Sequence, residues 1–159
     1  ALKFINQDDQ TRLLKFKDGT NVQITIPENW YDFSSRYLFH QREDSLDLYE
    51  GSCDKACAEK GGPAYGVFIA NYEFDPQKIV RKTECGANWQ KVDDINISYR
   101  HLACFITTEK QTQLNVYVYL TDDDSKQLSV ALHANTRQDL RNNISSLQQI
   151  LNSIKYPSL

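Results

Sequence analysis

The run "QLNVYVYLTDDDSKQLSVALHANTRQDLRNNISSLQQILNSIKY", Gln113 to Tyr156, constrains the fold more than any other stretch of the chain. Leu114, Val116, Val118 and Leu120 alternate with other residues, and Leu128, Val130 and Leu132 alternate again after "TDDDSK". A period of two places every second side chain on one face of a strand. Past Asn135 the period changes. Leu140, Ile144, Leu147, Leu151 and Ile154 recur at steps of four and three, which is one apolar stripe along a helix. Two strands joined by a polar turn, then an amphipathic helix, predict a sheet with that helix lying on its apolar face. Thr136 is placed to cap the first helical turn, and Asp139 can complete a capping-box-like arrangement. Such a cap is worth about 1 kcal/mol, whereas each large aliphatic side chain buried contributes roughly 1.5–3 kcal/mol. Packing, with Leu147 at its centre, is expected to hold the helix, and Gln148 is expected on the solvent side.

Earlier segments extend the sheet. "TRLLKFKDGTNVQITIP" reads as a hairpin turning at Asp18-Gly19, with Val22, Ile24 and Ile26 on one face and Pro27 closing it. "RYLFHQ" and "LDLYE" read as a shorter strand pair, and "YGVFIANYEF" as a strong strand ended by Asp75-Pro76. "IVRKTECGANWQKV" and "NISYRHLACFITTE" read as a hairpin across "DDI". Strands in hairpin order with one long closing helix predict a single α+β domain, residues 1–159. Its antiparallel sheet should have about six or more strands, packed by the C-terminal helix.

Composition sets limits on partners. The chain has 159 residues, 40% of them hydrophobic and 25% charged, enough for one buried core. Its net charge of −3 and scattered basic residues argue against a phosphate-backbone ligand. No apolar run approaches the roughly 20 residues that span a bilayer as a helix. The sequence starts at Ala1 and contains no Met, as expected after removal of a leader, so a periplasmic or secreted location is expected.

The four cysteines bear on the same point. If the hairpin turn centres near Asp94, Cys85 faces Cys104 across two neighbouring strands. Opposed Cβ atoms lie about 4.5–5.5 Å apart, within reach of a bridge after modest adjustment. Cys53 and Cys57 then pair by elimination inside "GSCDKACAEKGG". Two other readings stay open: free thiols, and a metal site in which C-x₃-C supplies one knuckle. Disulfides suit an oxidising compartment.

No convergent catalytic set stands out. His40, His101 and His133 lie outside any nucleophile-elbow or H-E-x-x-H context, and structural roles are expected for all three. His133 has opposite parity to Leu128, Val130 and Leu132, which puts it on the more polar face. The carboxylates of "REDSLD" and "DLYE" read as turn charges rather than an acid–base pair. "TDDDS" lacks the spacing and distal Glu of an EF-hand, and Gly61-Gly62 opens no phosphate loop. Asn96-Ile97-Ser98 and Asn143-Ile144-Ser145 fit the glycosylation triplet, which matters only in a eukaryotic secretory source. No cofactor and no metal ligand are expected.

"FKDGTNVQITIPENW" together with the terminal "TRQDLRNNISSLQQILNSIKY" resembles the PsbP/Mog1-like fold group. The positions carrying the resemblance are Asp18, Gly19, Val22 to Ile26, Pro27, Trp30 and Leu151 to Ile154, about the two ends of the chain. The resemblance implies a non-enzymatic α/β/α sandwich used for docking to other proteins. Bacterial members of the group include proteins linked to type VI secretion. By analogy the chain is similar in character to a periplasmic immunity protein that occludes the active site of a secreted bacterial toxin. The alternatives are a small-ligand or lipid carrier and, third, a small hydrolase.

Recognition surfaces favour Tyr and Trp, which join apolar area to a polar handle. Tyr117 and Tyr119 lie opposite an aliphatic face on the same strand. Loops that could carry anchors are the cysteine loop, Gly51 to Tyr65, and the acidic turn, Asp122 to Lys126. The expected partner-binding residues are therefore Tyr65, Tyr117, Tyr119, Asp122, Asp123 and Asp124.

Overall fold

The computed structural model describes residues 11–28, 30–32, 45–50, 65–73, 84–109 and 112–158, with only the backbone described for Tyr31, Glu50, Tyr65, Tyr72 and Glu73. Its centre is the hairpin of β8 (Thr112–Tyr119) and β9 (Lys126–Ala134). These strands align Leu114 with Leu132, Val116 with Val130 and Val118 with Leu128. All six side chains are buried, so both alternating patterns face the same way.

Further strands add on both sides of this hairpin. They are β3 (Trp30–Asp32), β4 (Ser45–Glu50), β5 (Tyr65–Glu73), β6 (Gln90–Val92) and β7 (His101–Thr107). The result is a seven-stranded sheet in the order β3-β4-β5-β9-β8-β7-β6. Each pairing in it is antiparallel. A single inner row runs from Leu46 through Ile69, Val130 and Val116 to Ala103, every member buried.

Helix α1 (Arg137–Asn152) lies on that inner face, against β5, β8 and β9. Its start follows the sequence signal: the Thr136 hydroxyl accepts from the Asp139 amide at 3.0 Å. Leu140, Leu147, Ile150 and Leu151 are buried, while Ile144 is half-buried. The stripe is therefore turned slightly towards Ile150. Asn143 is buried too, and its amide donates to the Asp139 carbonyl one turn back.

A second sheet of three strands, β1-β2-β10, completes the core. It comprises β1 (Thr11–Lys15), β2 (Asn21–Thr25) and β10 (Lys155–Ser158). The β1–β2 hairpin turns at Asp18-Gly19, as its turn dipeptide predicts. Gly19 takes φ 86°, and the Asp18 carboxylate accepts from Thr20 N. Leu14, Phe16, Val22, Ile24 and Ile26 share one core with Leu147, Ile150 and Leu151. Among the described residues, a buried ion pair ties the two sheets. Arg12 on β1 donates to the Asp32 carboxylate on β3 at 3.2 Å, with 9% and 3% of the two side chains exposed.

The architecture is the expected α+β one, and several local expectations need correction. The helical spacing in the sequence runs on through Ile154, but α1 ends at Asn152 with Ser153 as its cap. Ser153 Oγ accepts from Thr25 N at 2.9 Å, which draws the chain onto β2 and starts β10. Pro157 lacks an amide hydrogen and could not have continued the helix. Gln148 does not simply face solvent: its side-chain carbonyl accepts from Asn96 N at 2.8 Å. "LDLYE" forms β4 with β3 on one side and β5 on the other. "RYLFHQ" lies outside the described residues.

The cysteine hairpin is the clearest revision. Cys85 and Cys104 are bonded, with Cα atoms 5.7 Å apart. The register is different, however, because Lys91 and not Cys85 stands opposite Cys104. The connection is not a tight "DDI" turn but residues 93–100, held by buried Ile95 and by bonds from α1. Cys85 reaches Cys104 by a turn of its own, in which Trp89 N donates to the Gly86 carbonyl and Asn88 takes φ 70°. Cys53 and Cys57 lie outside the described residues.

Candidate functional site

The outer face of the large sheet carries the residues of opposite parity to the core. Asp47, Phe68, Ala131, Asn115 and Cys104 form one row by register, and Gly66, His133, Gln113 and Ile106 form the next. Helix α1 occupies the other side, yet Leu102, Cys104 and Tyr119 on this outer face are buried as well. The last side chain in the first row, Cys104, is closed over at 2% exposure by its bridge to Cys85. Phe68, by contrast, is 38% exposed, one of two exposed large hydrophobics among the described residues.

Gly66 explains how the second row is filled. A Cβ there would lie 2.5 Å from Tyr49 Cε1 and 3.1 Å from His133 Nε2. The absent side chain lets the Tyr49 ring cross β5 and meet the His133 imidazole edge-on, with centroids 6.1 Å apart. His133 is half-buried. Desolvation lowers its pKa, and the Asp47 carboxylate offsets part of that. Neutral imidazole is thus the favoured state. Beside it, Gln113 donates to the Asn115 side-chain carbonyl at 2.7 Å. This surface is aromatic and amide-rich.

Tyr117 belongs to the same outer face, half-buried and opposite Leu102 and Ser129. Tyr119 is 4% exposed, with the Arg100 guanidinium 5.8 Å from its ring centroid, so its ring is enclosed by the fold. The backbone of Tyr65 stands opposite Ala134 at the start of β5.

The acidic turn uses two of its three carboxylates internally. Asp123 accepts from Ser125 N and from the Thr121 hydroxyl, and bonds from Ser125 head the causes that lower its pKa to about 2. Asp124 is buried at φ 57° and bonds Arg100 at 2.7 Å. Asp122 is exposed. Lys126, which closes the turn, is ion-paired with Asp18 and stacks 5.6 Å from the Phe16 ring centroid. The turn is braced, with Asp122 and Asp123 exposed and Asp124 buried. It lies at one end of the β8–β9 hairpin, while His133, Gln113 and Gly66 lie towards the other.

His101 is structural: its ring nitrogens lie 2.9 and 3.1 Å from the carbonyl oxygens of Tyr99 and Ile95. Among the described residues, no group of three or more His, Cys, Asp or Glu is arranged to hold a metal. No helix among them is long and apolar enough to cross a membrane.

Sequence reasoning named Tyr117 on this face but missed Phe68, Tyr49 and Gly66. The parity signal was present, since Phe68 opposes Val67 and Ile69 on β5. A run apolar on both faces masks it.

No family model matches the chain, and no curated protein matches it significantly. Solved structures do. A point mutant of protein Mog1 is 11% identical with a TM-score of 0.52, the match covering 93% of this chain and 96% of that one. The Saccharomyces cerevisiae Ran-binding protein Mog1p is 10% identical with a TM-score of 0.52, over 91% and 94% of the two chains. At this identity the likeness establishes a shared fold, the one expected from the two ends of the sequence.

Proposed function

We propose that the chain is a protein-binding module without turnover of its own. In its most concrete form it is an exported immunity-type inhibitor that occludes the active site of a type VI secretion antibacterial effector. The observation that carries the binding reading is the outer face of the large sheet. The surface there presents Phe68, Tyr49 and Tyr117 beside the amides of Gln113 and Asn115, with the Asp47 carboxylate at its β4 side. Interface cores are depleted of charge and enriched in aromatics. A pre-formed sheet also loses little freedom on association, which otherwise costs on the order of 4–15 kcal/mol. One protein of the same fold is named for binding Ran, which supports use of this scaffold for protein recognition. The Cys85–Cys104 bridge supports the exported form of the reading.

The test is to purify the chain with the product of the adjacent gene and titrate one into the other by calorimetry. An inhibitor forms a stable complex and abolishes the partner's enzymatic activity at one equivalent. Turnover of peptidoglycan, lipid or peptide by the chain alone would overturn the reading. A neighbour that neither binds nor is inhibited would remove the immunity form.

A further inference from the structure

We propose that Asp18 is a latent isoaspartate site, and that Lys126, reaching in from β9, keeps it unmodified in the folded chain. The inference is independent of the protein-binding reading. Asp18-Gly19 is the one Asp-Gly step in the sequence. Glycine has no Cβ to shield its amide nitrogen, which leaves a preceding aspartate open to attack. In that reaction the Gly19 nitrogen bonds to Asp18 Cγ, and the carboxyl hydroxyl leaves with the amide proton as water. Water then opens the succinimide at the main-chain carbonyl of Asp18. The chain now runs through Cγ, its composition unchanged and its backbone longer by a methylene.

The Asp18 side chain is 45% exposed, so burial does not protect it. Its bonds do. Asp18 Oδ1 accepts from Thr20 N at 2.9 Å and from the Thr20 hydroxyl at 2.6 Å. Oδ2 is ion-paired with Lys126, whose ammonium sits 5.6 and 5.9 Å from the Phe16 and Tyr156 ring centroids. The nucleophile is engaged too, since Gly19 N donates to the Phe16 carbonyl at 3.0 Å. Cyclisation requires the carboxyl to swing onto Gly19 N, which these bonds oppose at both reacting groups. It also proceeds most readily from the neutral carboxyl. Hydrogen bonds from Lys126 and Thr20 hold the Asp18 pKa down to about 2, so that form is scarce at neutral pH. Lys126 thus ties the β1–β2 turn to the acidic turn of β8–β9 and guards its chemistry.

The test ages the intact chain at neutral pH and counts isoaspartate with an isoaspartyl methyltransferase, the site located by peptide mapping. Isoaspartate at Asp18 should form about tenfold or more faster in the urea-unfolded chain than in the folded one, because folding removes the open conformers. That comparison needs no variant. In the folded state Lys126→Gln should raise the rate about threefold or more, since it deletes a charge-assisted bond to the reacting group. Lys126→Arg, which keeps the charge, should restore the slow rate. Asp18→Glu, whose ring closure is far slower, should remove the signal. Gln148→Ala weakens the fold elsewhere and should leave the Asp18 rate unchanged. Equal rates in the folded and unfolded wild type would overturn the proposal. So would a Lys126→Gln rate no higher than wild type, or a Gln148→Ala rate raised as much as that of Lys126→Gln, since general loosening would then be the cause.

Discussion

Gly66 shows how one residue shapes the candidate surface. Replacing glycine by alanine in a strand ordinarily helps, by about 0.4–1 kcal/mol, because the unfolded chain loses freedom. Here the new methyl would collide with the Tyr49 ring, and displacing a packed ring typically costs about 1–3 kcal/mol. Gly66→Ala is therefore expected to destabilise the domain, read as a lower denaturant midpoint with unchanged slope. A raised midpoint would show that the ring moves aside freely. His133 makes the companion prediction, in pH. Its folded pKa lies below the ordinary 6.5, so between the two values the unfolded chain binds more protons. Its contribution is fully present above pH 6.5 and is lost as pH falls through the folded pKa. His133→Gln should flatten that part of the stability profile, and an NMR titration of the imidazole should place its midpoint below 6.5. A midpoint at or above that value would contradict the buried, neutral ring.

Among the elements, α1 holds the core by its packing and holds a loop by its polar side. Leu147 is fully buried, and Leu147→Asp would set an unpaired charge against β8 and β9. Loss of the cooperative melt is expected. A soluble variant with a normal melt would mean that this stripe is not core. Gln148 and Asn152 clamp residues 93–100 through Asn96 N, Ser98 N and the Asn96 carbonyl. Gln148→Ala should cost about 0.5–1.5 kcal/mol, the net worth of one hydrogen bond. Hydrogen exchange should locate the effect at the Asn96 amide, with the helix amides unchanged. Uniform acceleration across the domain would instead indicate general destabilisation.

For the molecule as a whole, long-range ties matter most. The Arg12–Asp32 pair joins the small sheet to the edge of the large one with both groups nearly dry. Removing one member of a buried pair typically costs about 3–5 kcal/mol, because the other remains buried and charged. Asp32→Ala should show a loss of that order in chemical denaturation, and a loss below about 1 kcal/mol would mean that water or the other partners of Arg12, such as the Thr11 carbonyl, compensate its charge. The Cys85–Cys104 bridge spans a sequence separation of 19, for which the chain-entropy model gives about 3 kcal/mol. Replacing both cysteines by serine should lower stability by about that amount while the fold persists. A larger effect of reductant on the melt of the wild type than on that of the double variant would confirm the source.

The sequence by itself determined the periods: two along β8 and β9, then 3.6 along α1, with the change near Asn135 and the cap at Thr136. Those patterns come from local backbone geometry, so they can be read without knowing what packs on them. The Asp18-Gly19 turn was legible for the same reason, since a left-handed glycine is a local requirement. Only the tertiary structure decided which distant segments meet. Helical spacing ran on through Ile154, yet Ser153 was captured by Thr25 and the tail became β10 beside β2. The bridge between Cys85 and Cys104 was correctly expected, while its register was not, because residues 93–100 take their path from bonds to α1. Phe68 is exposed on the outer face, whereas Val67 and Ile69, just as apolar, are buried in the core on the other. Hydrophobicity says that a side chain gains by burial. Whether anything arrives to bury it depends on the rest of the chain and, for Phe68, on the proposed partner.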